Sequence, residues 1–231
     1  MATAVILPWL APGTRAFLVA RWSRQLLEVL GIRLAVAGTP PARGLLVANH
    51  ISWVDIFAIN ATATTTFLAK DEVRAWPLIG WLAKRAGTLF LERGSRSAAQ
   101  RARQHLVDHL HRGNRVGVFP EGTTSLGEHV LPFHGALFQS AIDAEATVAP
   151  VLMRYTGADG RPTTAAAYAG DTSLWQCVRG IAGAGSLVAH VTFLPPIDSA
   201  GADRRHLAHR SHQAVSHALA RAAHSQPAGS T

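Results

Sequence analysis

His50 and Asp55 stand five residues apart in the stretch Asn49-His50-Ile51-Ser52-Trp53-Val54-Asp55. An imidazole whose tautomer is held by a carboxylate is the equipment of an oriented general base, able to take the proton of a hydroxyl as it attacks an electrophile. On a regular helix this spacing would turn the two side chains well apart. The pair can therefore meet only if His50 lies in a turn and Asp55 in the first helical turn that follows. Ser52 is the expected N-cap of that helix. The apolar run Leu45-Leu46-Val47-Ala48 before it reads as a buried strand, so the two groups sit where a strand hands over to a helix.

Two more apolar runs end in the same way. Thr88-Leu89-Phe90-Leu91 runs into Glu92-Arg93-Gly94-Ser95-Arg96, and closely spaced arginines beside a glycine suit an anion, which a guanidinium binds through two parallel hydrogen bonds. Val116 to Phe119 runs into Pro120-Glu121-Gly122-Thr123-Thr124-Ser125. Strand ends that deliver polar residues together are where an open α/β sheet places its ligands. Further strands are expected at Thr65 to Ala69, Thr147 to Tyr155, Thr164 to Ala169 and Leu187 to Leu194. Helices are expected after His50 to about Ala63, at Arg101 to Arg112, at Phe138 to Ala144 and at Ala202 to Ala223.

The 231 residues suit one α/β domain with a sizeable core. A 48% apolar and 16% charged composition implies a surface that meets something apolar, and a net charge of +8 favours anionic lipid, phosphorylated substrates or nucleic acid. No nucleic-acid motif accompanies that charge, so nucleic acid is not an expected partner. The single cysteine, Cys177, excludes an internal disulfide and lies far along the chain from the three polar strand ends. His206, His209 and His212 recur every three residues but spread around a helix without a carboxylate partner, so no metal site is expected.

From Phe17 to Arg33, Leu18, Trp22, Leu26, Val29 and Leu30 share one side and Arg21, Arg24, Gln25 and Glu28 the other. Such a helix can pack on its own domain or lie in a lipid interface, and Trp9 and Trp22 favour lipid. The start of the chain, with Pro8 and Pro12 in its apolar run and no preceding basic residue, does not read as a signal peptide. No window reaches the roughly 18 uninterrupted apolar residues of a spanning helix.

The motifs together resemble the glycerolipid acyltransferases, the family of 1-acylglycerol-3-phosphate acyltransferases. Asn49 to Asp55 is similar to that family's N-H-x-S-W-x-D form of the H-x-x-x-x-D block. Gly87 to Arg93 resembles its second block, Phe119 to Ser125 its F-P-E-G-T-x-S block, and Val148-Ala149-Pro150-Val151 its fourth. The resemblance covers about residues 40 to 195. It implies a mostly parallel or mixed central sheet flanked by helices, preceded by an amphipathic N-terminal helix. The division it suggests is an interfacial segment over residues 1–36, an acyltransferase domain over 37–225 and a disordered tail over 226–231.

The implied reaction moves a fatty acyl group from a thioester to the hydroxyl of a lysophospholipid, foremost 1-acyl-sn-glycerol-3-phosphate. His50 and Asp55 would be catalytic, and Arg93, Arg96, Glu121, Gly122 and Thr123 would bind substrate. Backbone N–H groups near Gly122 or Val151 would hold the oxyanion, and Glu121 would pair with an arginine or hydrogen-bond the acceptor. No cofactor is implied beyond the donor, acyl-CoA or acyl carrier protein, and transfer is expected to be direct. His134 stands where the family often has lysine or arginine, which leaves another lysolipid, such as lyso-ornithine lipid, as an alternative acceptor. A catalytically inactive peripheral membrane protein is the remaining alternative. Because a two-chain product stays in a bilayer, the expected location is the cytoplasmic face of the cell membrane.

Overall fold

The computed structural model describes residues 11–71, 74, 79–85, 88–91 and 96–224. In chain order the elements are α1 (Pro12–Val29), β1 (Ile32–Ala37), β2 (Gly44–Ala48), α2 (Val54–Thr62), β3 (Thr66–Lys70), α3 (Ile79–Arg85), β4 (Leu89–Leu91), α4 (Arg96–His111), β5 (Arg115–Val118), a 3-10 turn Gly135–Phe138 running into α5 (Gln139–Asp143), β6 (Val148–Gly157), α6 (Leu174–Gly183), β7 (Leu187–Phe193) and α7 (Arg204–His224). Seven strands form one sheet in the order β1-β7-β6-β2-β5-β3-β4. All neighbours are parallel except β6 and β7, so the sheet is mixed.

Strand β2 is the pivot of this order. It is buried at every position, as a strand covered on both faces must be. The chain leaves β2 towards β3 and β4 on one side, returns through β5, and then crosses to β6 on the other side. The winding direction thus reverses at β2, which opens a crevice beyond its carboxyl end, and His50 follows that end directly. One face of the sheet carries the cluster of Val54, Phe57, Met153, Tyr155 and Cys177 against α2 and α6. The other carries Leu45, Val47, Leu106 and Val118 against α4, α5 and α7.

Two local expectations change. Residues Thr164 to Ala169 form a turn, with Ala167 N–H donating to Thr164 O at 2.8 Å. That turn holds the stretch that follows β2, since Tyr168 N–H donates to Ile51 O at 2.9 Å. The first helix stops at Val29, and Ile32–Ala37 becomes an edge strand, because Gly31 at φ +69° reverses the chain into register with Leu187–Thr192. That strand crosses residues 36 and 37. Helix α6 was not read from the sequence although it carries a capping box, Ser173 with Gln176.

Helix α1 lies on α2 through Val19, Ser23 and Leu27, one position round from the apolar face expected, and leaves Phe17 and Val29 outward at 61% and 84% exposure. No helix among the described residues is long and apolar enough to cross a membrane.

Gly117 in β5 shows how closely this scaffold is packed around the crevice. A Cβ there would lie 2.4 Å from the ring of Phe67, which is 1% exposed. Phe67 in turn stacks on Phe119, centroids 5.5 Å apart. Replacing Gly117 by alanine should destabilise the fold by about 1–3 kcal/mol, as overpacking of a closed core does, read as a lowered midpoint in urea with an unchanged slope.

Candidate active site

The site begins with a buried carboxylate. Asp55 is the second residue of α2 and is 0% exposed. Its Oδ2 accepts from Ile51 N–H at 2.8 Å, Ser52 N–H at 3.0 Å and His50 Nδ1 at 2.9 Å, and its Oδ1 accepts from the Tyr155 hydroxyl at 2.7 Å. A charge taken out of water demands such partners. The spacing argument thus holds geometrically: His50 is in the turn, and Asp55 folds back on it from the first helical turn. Ser52 sits one residue before the cap position, which Trp53 occupies, and its Oγ accepts from Val54 N–H at 3.3 Å.

His50 is partly exposed, at 19% of its side chain, and its ring lies flat on Phe119 with centroids 3.8 Å apart. With Nδ1–H donated to Asp55, Nε2 carries the lone pair, and among the described residues it has no hydrogen-bond partner. The turn that holds His50 is tied from both sides. Ser125 N–H donates to His50 O at 2.8 Å, and Tyr168 N–H donates to Ile51 O. Asn49 acts as a clamp: its Nδ2 donates to Met153 O at 3.0 Å and its Oδ1 accepts from Met153 N–H at 2.7 Å. The amide side chain thereby continues the pairing of β2 with β6 for one residue after the backbone has turned away.

Tyr155 lies outside every motif of the sequence, and Asn49 and Phe119 stand in two of the blocks with no contact of their own assigned. Their partners lie about a hundred residues away along the chain or on another strand, so no local pattern marks them. Cys177, distant in sequence, is close in space. It is 2% exposed in the same cluster as Trp53 and Val54, and its thiol donates to Ala166 O at 3.4 Å. Burial pushes the thiol up, and it stays protonated at neutral pH.

Glu121 follows β5 and is 4% exposed. Its Oε1 accepts from Leu131 N–H at 3.2 Å, while Oε2 is buried with no partner among the described residues, so no described arginine answers it. Burial pushes this carboxyl up to about 8; the amides of Leu131 and His50 pull the other way, and the Asp55 charge adds to the rise. Gly122 has φ +70° and lies against the His134 ring, which a Cβ would approach to 3.5 Å. Its N–H is taken by Phe119 O at 3.1 Å. Among the described residues the N–H groups of the exposed Thr123 and of Thr124 are not engaged, whereas the Thr124 hydroxyl donates to Tyr168 O.

Val151 does not present an amide to the crevice. It pairs with Ala48 on one side and Phe193 on the other, wholly buried within the sheet. Arg96 opens α4, and Arg93 lies outside the described residues. Among the described residues no three His, Cys, Asp or Glu side chains converge as metal ligands; His212 instead reaches Val130 O at 3.2 Å.

The structure thus brings His50, Asp55, Glu121, Gly122 and Thr123 to one crevice. Residues 35–154 match the family model described as Acyltransferase. The chain is 44% identical over 203 residues to the lyso-ornithine lipid O-acyltransferase of Pseudomonas aeruginosa, spanning 86% of this chain and 76% of that protein. It is 39% identical over 198 residues to the 1-acyl-sn-glycerol-3-phosphate acyltransferase of Neisseria meningitidis, spanning 84% and 77%. Its fold matches the crystal structure of the 1-acyl-sn-glycerophosphate (LPA) acyltransferase, PlsC, from Thermotoga maritima with a TM-score of 0.72 at 21% identity, covering 99% of this chain and 90% of that one.

The unpartnered carboxyl of Glu121 makes a testable statement about pH. Its folded value is raised from the ordinary 4.5 to about 8, so the folded protein holds a proton that the unfolded chain releases, and stability falls as pH rises between those values. Glu121→Gln keeps the shape and removes the titration. Its stability relative to wild type should increase from about pH 4.5 to 8, read by denaturation at a series of pH values; a difference that stays flat would contradict the assignment.

Proposed function

The chain belongs to the acyltransferase family, and on that premise we propose that it moves a fatty acyl group from an acyl thioester to the free hydroxyl of a lysolipid. The observation that carries this reading is the His50–Asp55 hydrogen bond at the reversal point of the sheet, with Nε2 left without a partner. Nε2 takes the hydroxyl proton as the acceptor oxygen bonds to the thioester carbonyl carbon. Collapse of the tetrahedral adduct breaks the C–S bond, and the imidazolium returns the proton to the leaving thiolate. Asp55 keeps the tautomer and stabilises the imidazolium, while Tyr155 fixes the far oxygen of Asp55. Phe119 holds the ring plane.

Transfer is direct in this reading, since the chain has no Gly-x-Ser-x-Gly elbow and its one thiol is buried and protonated. The Thr123 and Thr124 amides suit the oxyanion, being the loop donors left unengaged. Gly122 lets the backbone approach the acceptor, and Glu121, protonated through most of the neutral range, donates a hydrogen bond to it. Arg93, assigned by resemblance, takes an acceptor phosphate with help from Arg96. The acceptor is 1-acyl-sn-glycerol-3-phosphate, giving phosphatidic acid, or lyso-ornithine lipid, which the 44% identity to an enzyme of that name favours. The donor is acyl-CoA or acyl carrier protein, whose acidity suits the +8 net charge.

The enzyme works at the cytoplasmic face of the cell membrane as a peripheral or monotopic protein. Outward Phe17 and Val29 on α1, within the N-terminal segment 1–36, and the exposed Trp81, Leu126 and Trp175 supply the apolar surface for that contact.

His50→Ala should lower acyl transfer by on the order of 10²- to 10⁴-fold, measured with both donors over a panel of lysolipids. A folded His50→Ala protein that transfers at the wild-type rate would sink the mechanism. For Arg93→Ala, the expected result is a raised KM for 1-acyl-sn-glycerol-3-phosphate with the donor KM unchanged; unaltered acceptor saturation would remove Arg93 from phosphate binding.

A further inference from the structure

A cavity of about 710 Å³ lies between Ile51, the loop 126–130, β6 at Arg154 and Tyr155, and α7 at Leu219 and Ala223. His50 is not among its walls, yet two wall residues adjoin the catalytic pair: Ile51 follows His50 in the chain, and the Tyr155 hydroxyl donates to Asp55.

Arg154 is the unexplained group here. Its Nη1 is buried without a partner, and among the described residues its guanidinium makes no hydrogen bond or salt bridge. A guanidinium does not escape the cost of burial by losing its proton, so such a charge calls for an anion. Among the described residues none pairs with it. The residue directly across from it on β7 is His190, which is bonded to the Thr156 hydroxyl at 3.0 Å and held neutral by burial and by Arg154 itself. The single carboxylate of the wall is Glu128, which is exposed and makes no ion pair with Arg154. His129 completes the titratable set with Tyr155. The cavity thus offers a half-buried guanidinium whose Nη1 is buried and a separate carboxylate, with Leu126, Val130 and Leu219 adding apolar wall.

We propose that this cavity receives the amino-acid head group of a lysolipid acceptor, with its carboxylate on Arg154 and its ammonium towards Glu128. The assignment rests on the lysolipid acyltransfer reading and names the acceptor class. A phosphate monoester would satisfy Arg154 but would place its second negative charge facing Glu128. A head group with one carboxylate and one ammonium is matched at both ends.

The test uses the full chain as wild type, Arg154→Gln, Arg154→Lys and Glu128→Gln, with lyso-ornithine lipid and 1-acyl-sn-glycerol-3-phosphate presented in the same mixed micelles. Arg154→Gln should raise the KM for lyso-ornithine lipid roughly ten- to a hundredfold, the scale of one lost charge-assisted hydrogen bond, with a smaller change in kcat. Arg154→Lys should recover part of the loss. Glu128→Gln should weaken lyso-ornithine lipid and leave the phosphate acceptor unchanged or better bound. The ligand-free Tm of Arg154→Gln should hold or rise, since an unpaired buried charge is removed. Wild-type saturation by Arg154→Gln overturns the proposal, as does an equal or larger loss with the phosphate acceptor, or a Tm several degrees lower. Binding of both lipids to His50→Ala with and without Arg154→Gln, followed by tryptophan fluorescence, separates the two readings. Arg154-dependent binding of lyso-ornithine lipid supports the cavity assignment even if wild type transfers no acyl group, and Arg154-independent binding overturns it even if wild type does.

Discussion

The buried carboxylate of Asp55 is the constraint on which the site depends. A group with no exposure that accepts four hydrogen bonds cannot be moved without stranding donors, and those donors come from three separate places: the turn 51–52, the imidazole of His50 and the hydroxyl of Tyr155 on β6. One interaction therefore sets the conformation of the turn, the tautomer of the histidine and the contact of α2 with the sheet. The Tyr155 hydroxyl, pushed far above its ordinary range by burial and by Asp55, remains a donor at any working pH.

The sheet decides where that network sits. Because the winding reverses at β2, the residues following β2, β5 and β6 converge without any of them leaving the scaffold that holds it. Phe119 extends β5 under the imidazole, Phe67 of β3 stacks beneath Phe119, and Gly117 leaves room for Phe67. The loop 120–125 returns over the other side and binds His50 O through Ser125.

Charge is distributed unevenly around this frame. Glu121 is raised until it is largely neutral, whereas Arg154 stays charged without a described partner. Both lie within one or two residues of groups that position His50 or Asp55. Buried polar atoms left unanswered are uncommon in a folded chain, and Glu121 Oε2 and Arg154 Nη1 are two of the five among the described residues.

Much of this was legible along the chain. The apolar runs ending at Asn49, Leu91 and Phe119 marked the strands, and the five-residue spacing of His50 and Asp55 placed one in a turn and the other in a helix, because both depend on contacts between near neighbours. The capping box of Ser173 with Gln176 is equally local. What the tertiary structure alone decided is everything that crosses the sheet. Tyr155 as the second partner of Asp55, Asn49 as the clamp on Met153, Cys177 beside the block it seemed distant from, and Arg154 in its cavity all depend on β6 lying next to β2. Periodicity encodes which face of an element is apolar. It carries no information about which strand becomes the neighbour, and that choice is made by the packing of all seven strands at once.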